Sequence, residues 1–201
     1  MKFAPSPLTA AQSPTSAAGR RDSFPSLPLF IAVWVALVMV GVLGRLWQPG
    51  WNVTPMAGVA LAAGAVFPNL LAAATVPLVA LAISNLAMPG YGSLTMAAVV
   101  YAATVWPVLL GSRLVPGKAW KAVVGSALAS SLVFYLATNL AHWWLTADYP
   151  HTLAGLAACY VAALPFYRWM PVGDLVWSVA IFAGLSAVIA AVRASRGAAV
   201  A

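Results

Sequence analysis

Six polar side chains stand inside or at the edge of long apolar runs: Asn52, Asn85, Thr138, Asn139, His142 and Asp174. A polar group in hydrocarbon is expensive, so each marks a hydrogen-bonded helix contact or a ligand site. Asn139 and His142 are three residues apart and share one helix face. Asparagine and histidine there donate and accept hydrogen bonds, the adjacent Trp143 offers a ring for stacking, and Asp174 pairs with a cationic or N–H group. Asn85, Asn139, His142, Trp143 and Asp174 therefore form the candidate ligand-binding set. This is recognition chemistry rather than catalysis. The chain carries no G-x-S-x-G, no H-E-x-x-H and no phosphate loop ending in G-K-[ST]. Its two histidines and three aspartates do not fall at metal-ligand spacings. The sequence predicts no enzyme, no metal and no cofactor. Any energy input then comes from a partner or an ion gradient, and with Asp174 the sole acid in a span, an autonomous secondary pump is disfavoured.

Each of these residues also has a structural reading. Asp174 follows Gly173 and can cap or charge-complement a helix start. Asn52, before Thr54-Pro55, can cap the next helix. Asn85 and Asn139 can simply bond neighbouring helices. His142 lies beside two tryptophans and suits the membrane interface, as does the Trp143-Trp144 pair. His151 follows Pro150 in a loop and reads as solvated. The single cysteine, Cys159, excludes an internal disulfide and reads as a small packing residue.

The elements that carry these residues follow from composition. The chain has 201 residues, 63% hydrophobic and only 6% charged. There is no glutamate, and the three aspartates are Asp22, Asp148 and Asp174. Such a chain cannot supply the charged surface of a soluble protein. A soluble enzyme, a secreted disulfide scaffold and a disordered protein are excluded, leaving an all-α integral membrane protein in a lipid bilayer. The net charge of +7 is scattered between apolar segments with no aromatic and basic stripe, so no nucleic-acid partner is expected.

Seven apolar segments follow one another: 29–46, 54–67, 70–88, 93–114, 119–144, 152–167 and 172–192. Breaks fall at polar or Pro/Gly-rich stretches such as Pro89-Gly90-Tyr91-Gly92 and Pro116-Gly117-Lys118. Arg20 and Arg21 place the amino terminus in the cytoplasm, as do Arg113, Lys118 and Lys121 the loop after the fourth segment, and Arg193 and Arg196 the carboxyl end. The number of crossings is then even. Segment 152–167 is short and ends near Pro165, so the expectation is six crossings with 152–167 as a re-entrant or outer-leaflet helix. Arg45 then flanks the outer end of the first span. Residues 1–27, rich in Ser, Pro, Thr and Ala, are expected to be a disordered cytoplasmic tail. Residues 28–194 form the transmembrane helical bundle, and 195–201 a short cytoplasmic tail. Small residues four apart, Gly125 with Ala129, Ser126 with Ser130 and Ala32 with Ala36, are expected where helices approach closely.

The runs Asn52-Val53-Thr54-Pro55-Met56-Ala57, Thr138-Asn139, Tyr149-Pro150, Thr152-Leu153-Ala154-Gly155-Leu156, Cys159-Tyr160 and Gly173-Asp174-Leu175 resemble an uncharacterised family of small bacterial integral membrane proteins over about residues 50–185. That family is similar to the substrate-binding S components of energy-coupling factor (ECF) vitamin transporters. Pro165-Phe166 followed by Pro171-Val172-Gly173-Asp174-Leu175 resembles, with an insertion, the P-F-x-P-G-D-L segment of the biotin-binding members. Ala32 and Ala36 match the small-residue motif by which S components dock. The resemblance implies a six-helix bundle in the bacterial inner membrane with an outward pocket capped by loops. It also implies a coupling membrane subunit with two ATPases as partner, and a vitamin-like small organic molecule as ligand. The alternative is a non-catalytic structural or scaffolding membrane subunit.

Overall fold

The computed structural model describes residues 27–48, 52–118 and 120–198, which are helical or turn with no strand among them. The expected tail over residues 1–26, with Arg20 and Arg21, and residues 199–201 lie outside the described residues. The helices are α1 (Leu27–Leu46), α2 (Met56–Val66), α3 (Leu70–Asn85), α4 (Leu94–Val105), α5 (Pro107–Gly111), α6 (Trp120–Leu145), α7 (Leu153–Tyr167) and α8 (Met170–Ala198). Each apolar segment of the sequence becomes a helix. The fourth is interrupted at Trp106-Pro107, where proline lacks the N–H that would continue the ladder, so α4 and α5 form one apolar stretch, Leu94–Gly111. Starts are encoded locally. The side chains of Asn69, Ser93 and Thr152 cap α3, α4 and α7 by accepting from the N–H groups of Ala72, Met96 and Gly155. Pro171 sits in the first turn of α8, where no backbone donor is required.

Four helical stretches are long and apolar enough to cross a membrane: α1, α4 with α5, α6 and α8. Their exposed faces are as apolar as their buried ones. On α6 the exposed stripe is Leu128, Leu132, Leu136 and Leu140, while Val123, Ala127, Ser130 and Ser131 are buried. On α1 the exposed stripe is Ile31, Val35, Met39 and Leu43. An aqueous surface does not carry such stripes, whereas lipid covers them. The fold is that of an all-α protein compatible with a membrane.

Helix α2 occupies the centre. Residues Met56 to Gly64 are buried without a break, and a helix enclosed on every side must be apolar on every side. It touches every other helix except α7. Its eleven residues rise only about 16 Å. Enclosure depends on glycine. A Cβ on Gly64 would fall on the Val108 carbonyl oxygen, and one on Gly111 would fall on the Leu61 carbonyl oxygen. A Cβ on Gly58 would stand 2.9 Å from the Ser178 backbone nitrogen of α8. Thus α5 and α8 meet α2 backbone to backbone. The expected approach at Gly125 does not occur: that residue of α6 is exposed and a Cβ there would meet open space. The small residues that α6 buries are Ala127, Ser130 and Ser131.

Cross-links between helices are sparse and specific. Trp34 Nε1 donates to Thr75 Oγ1 at 2.9 Å, tying α1 to α3. Tyr135 Oη donates to the Tyr160 carbonyl at 2.7 Å and Tyr160 Oη to the Leu136 carbonyl at 2.8 Å, tying α7 to α6.

Gly64→Val should force α2 off α5, because overpacking a backbone contact costs about 1–3 kcal/mol or more. A shift of about 2–4 °C in Tm per kcal/mol follows for a chain of this size. Gly184→Ala, where nothing lies within 4 Å of the new Cβ, should hold or raise the Tm. Thermal unfolding of the two variants in detergent checks this, and equal Tm values would contradict backbone packing around α2.

Candidate functional site

Asp174 lies one turn inside α8 and is 5% exposed. Its carboxylate makes no hydrogen bond or ion pair with any described residue. It is therefore not a helix cap. It borders a cavity of about 130 Å³ whose wall also includes Arg45, from the last turn of α1. Met56, Leu81, Val100 and Phe134 make most of the remaining wall apolar. Three hydroxyl residues border it as well: Thr104 Oγ1 donates to the Val100 carbonyl and Ser130 Oγ to the Ser126 carbonyl of their own helices, each at 2.7 Å, while the Thr54 hydroxyl donates to no described residue.

Arg45 is held from behind by neutral groups. Its Nη1 donates to Ser84 Oγ at 2.6 Å and to Asn85 Oδ1 at 2.7 Å. Asn85 Nδ2 donates to Tyr101 Oη at 3.2 Å, and Tyr91 Oη donates to Asn85 Oδ1 at 3.3 Å. Ser84 in turn donates to the Ala80 carbonyl at 2.8 Å. Asn85 thus positions Arg45 and does not itself border the 130 Å³ cavity. A guanidinium has five N–H donors, so its Nε and Nη2 groups keep donors beyond those used on α3. Among the described residues the one acid–base contact within 4 Å is His142 Nε2 to Asp148 Oδ2 at 3.0 Å, so Arg45 and Asp174 face one cavity without touching.

Two further cavities lie next to the first and share wall residues with it or with each other. Asn52, Phe134 and Met170 border both the 130 Å³ cavity and one of about 210 Å³. Thr138, Asn139, Ala163 and Phe166 border both that second cavity and a third of about 300 Å³, which His142 and Tyr149 also line. Asn139 stands midway. Its Nδ2 donates to the Tyr135 carbonyl at 2.8 Å, and its side-chain oxygen accepts from no described residue. Asn52 has φ +61°, a left-handed conformation that asparagine adopts more readily than other side-chain-bearing residues. It does not cap α2, whose N-cap is Pro55. Its Nδ2 instead donates to the Phe166 carbonyl at 3.2 Å, between the first and second cavities.

The remaining expected site residues have other surroundings. Trp143 lies outside these three cavities. Its Nε1 donates to the Pro150 carbonyl at 2.9 Å, and its ring meets Trp144 at 5.8 Å and His151 at 5.3 Å, so it fastens the α6–α7 loop. His142 borders the outermost cavity while paired with Asp148 and edge-on to Tyr149. Cys159 is buried, with Sγ 3.5 Å from the Asn139 carbonyl. Ala32 and Ala36 are exposed on α1, on the same side as Ile31 and Val35. Arg45, the cation of the innermost cavity, was expected only to flank a span. The signal that reveals it is its place at the same end of the bundle as Asn85.

No curated protein matches the chain. No solved structure matches it. The model of a family of unknown function (DUF6580) matches residues 26–196, a stretch that contains every helix start from α1 to α8 and every residue bordering the three cavities. The chain belongs to this family of unknown function, DUF6580.

Proposed function

We propose that the protein is the substrate-binding membrane component of an uptake system for a small organic, vitamin-like molecule. The observation that carries this reading is Asp174: a carboxylate 5% exposed, without a partner among the described residues, bordering a cavity. An acid buried without a partner is costly in either protonation state, and function is the usual reason such a group persists inside a membrane bundle. The succession of cavities past Asn139 to His142 gives that carboxylate a polar approach from one end. Helix α2 and helix α3, joined by a short turn at 67–69, complete six crossings with the four long stretches, and α7 stays in the outer leaflet. Both termini then face the cytoplasm of a bacterial inner membrane, and the exposed Ala32 and Ala36 offer a coupling membrane subunit with ATPases a close approach to α1.

Native mass spectrometry of gently extracted protein, followed by identification of released small molecules, tests the binding reading. The expected result is a stoichiometric ligand that is lost from Asp174→Ala and reduced at least about tenfold in occupancy, roughly 1.4 kcal/mol, by Asn139→Ala. A protein that is empty, and stays empty after exposure to a metabolite extract, would instead favour a non-catalytic structural or scaffolding subunit.

Orientation is checked separately by cysteine labelling in a Cys159→Ser background with a membrane-impermeant maleimide. Asp148→Cys should label on intact cells. Pro68→Cys and Lys118→Cys should label only after permeabilisation. Failure of Pro68→Cys to label from either side would remove the crossings assigned to α2 and α3, and the opposite pattern would invert the outward cavity.

A further inference from the structure

The cavity of about 130 Å³ holds one basic and one acidic side chain that do not meet. Arg45 and Asp174 both border it, neither is within ion-pair distance of any charged group among the described residues, and the wall between them is mostly apolar. A carboxylate only accepts hydrogen bonds and a guanidinium only donates them. The cavity thus asks for a donor with positive charge at one place and an acceptor with negative charge at another. We propose that its ligand is a small zwitterion, an amino-carboxylic acid whose ammonium group pairs with Asp174 and whose carboxylate pairs with the free Nε and Nη2 donors of Arg45. This rests on the reading of the cavity as a binding site.

Size and lining set the rest of the ligand. The cavity of about 130 Å³ is close to the roughly 150 Å³ that accommodates benzene in an engineered protein cavity, so about six or seven non-hydrogen atoms fit. Met56, Leu81, Val100 and Phe134 suit a short methylene linker between the two charged ends. Thr104 and Ser130 add little polarity, because both hydroxyls already donate to helix carbonyls, which leaves Thr54 as the one open hydroxyl on the wall. A ligand with an amine alone would leave Arg45 facing a second cation. A ligand with a carboxylate alone would bring a second anion towards Asp174. A doubly charged, net neutral molecule complements both groups at once, because its ammonium favours the ionised form of Asp174 while its carboxylate meets Arg45. Arg45 is prepared for this role, since Ser84 and Asn85 fix its Nη1 while leaving its charge uncompensated.

The test is calorimetric titration of the full chain in lipid nanodiscs with glycine, β-alanine, 4-aminobutyrate and 5-aminopentanoate, and with butylamine and butyrate as single-charge controls. At least one amino acid of the series should bind with a Kd at least tenfold below those of butylamine and butyrate. Asp174→Asn, nearly isosteric, should abolish its binding. Arg45→Gln should make 4-aminobutyrate no better than butylamine, and Arg45→Lys, which keeps the charge should the Gln variant misfold, should retain measurable selectivity for the zwitterion. Leu128→Ala, on the exposed face of α6, should behave as the unaltered protein. Butylamine binding as tightly as the best amino acid, no amino acid of the series binding, or selectivity unchanged in Arg45→Gln would each overturn the zwitterion assignment. The binding-module reading survives any of these where native mass spectrometry still finds a retained small molecule, and falls only where that protein is empty as well.

Discussion

A helix of eleven residues cannot span hydrocarbon by itself, and α2 is that helix. Its continuous burial from Met56 to Gly64 constrains everything around it. The neighbours must come close enough to enclose a helix whose buried residues are mostly alanine, glycine and valine, with only Met56 and Leu61 larger. They do so by bringing backbone against backbone at Gly58, Gly64 and Gly111. Close approach over most of α2 uses up the free space of the bundle. Space survives beyond its amino-terminal end, where the walls belong to Arg45, Asn52, Phe134 and Asp174. The cavity is the region that the packing of α2 leaves open, and this explains why the polar groups collect at one end of the bundle.

The polar groups are then deployed in two ways. Several helix hydroxyls, those of Thr104, Ser130, Ser131 and Thr138, bond back to their own carbonyls and so add no demand on the core, whereas the buried Ser178 Oγ has no partner among the described residues. The ionic groups are treated differently. Arg45 receives neutral partners from α3, and Asp174 receives none among the described residues. Pairing the two directly would neutralise both charges within one contact. Keeping them apart leaves both side chains open to the cavity.

Much of this was legible from residue types alone. The seven apolar segments became helices, and Asp174 and Asn139 stand at cavities because a polar residue in an apolar run has few other reasons to be there. Asn85 carried the same signal yet serves to hold Arg45, since hydropathy reports that a polar residue is enclosed but not which neighbour it meets. Arg45 was read through the distribution of basic residues, a topological signal, and its tertiary contacts with Ser84 and Asn85 span about forty positions of sequence. The spacing of Trp143 from Asn139 gives no warning that its indole turns to Pro150. Small residues were the least readable. In a chain so rich in alanine, four-residue spacings recur by chance, so Gly125 looked like a packing glycine and faces outward, while the essential pair, Gly64 and Gly111, is joined only in three dimensions.

The tyrosines behind Arg45 complete the logic of the site. Tyr91 and Tyr101 meet edge to face at 6.4 Å, and both hydroxyls bond the amide of Asn85. That amide in turn accepts from Arg45, so the guanidinium is fixed by a chain of neutral dipoles reaching α4. Neutral dipoles orient a cation without cancelling it. An acidic partner in place of Asn85 would hold Arg45 as firmly but would compete with any anionic group in the cavity. Asparagine at this position therefore keeps the positive charge available to the cavity that Asp174 also borders. The guanidinium is ordered by the fold in advance, which lowers the cost that an anionic group would otherwise meet in ordering it.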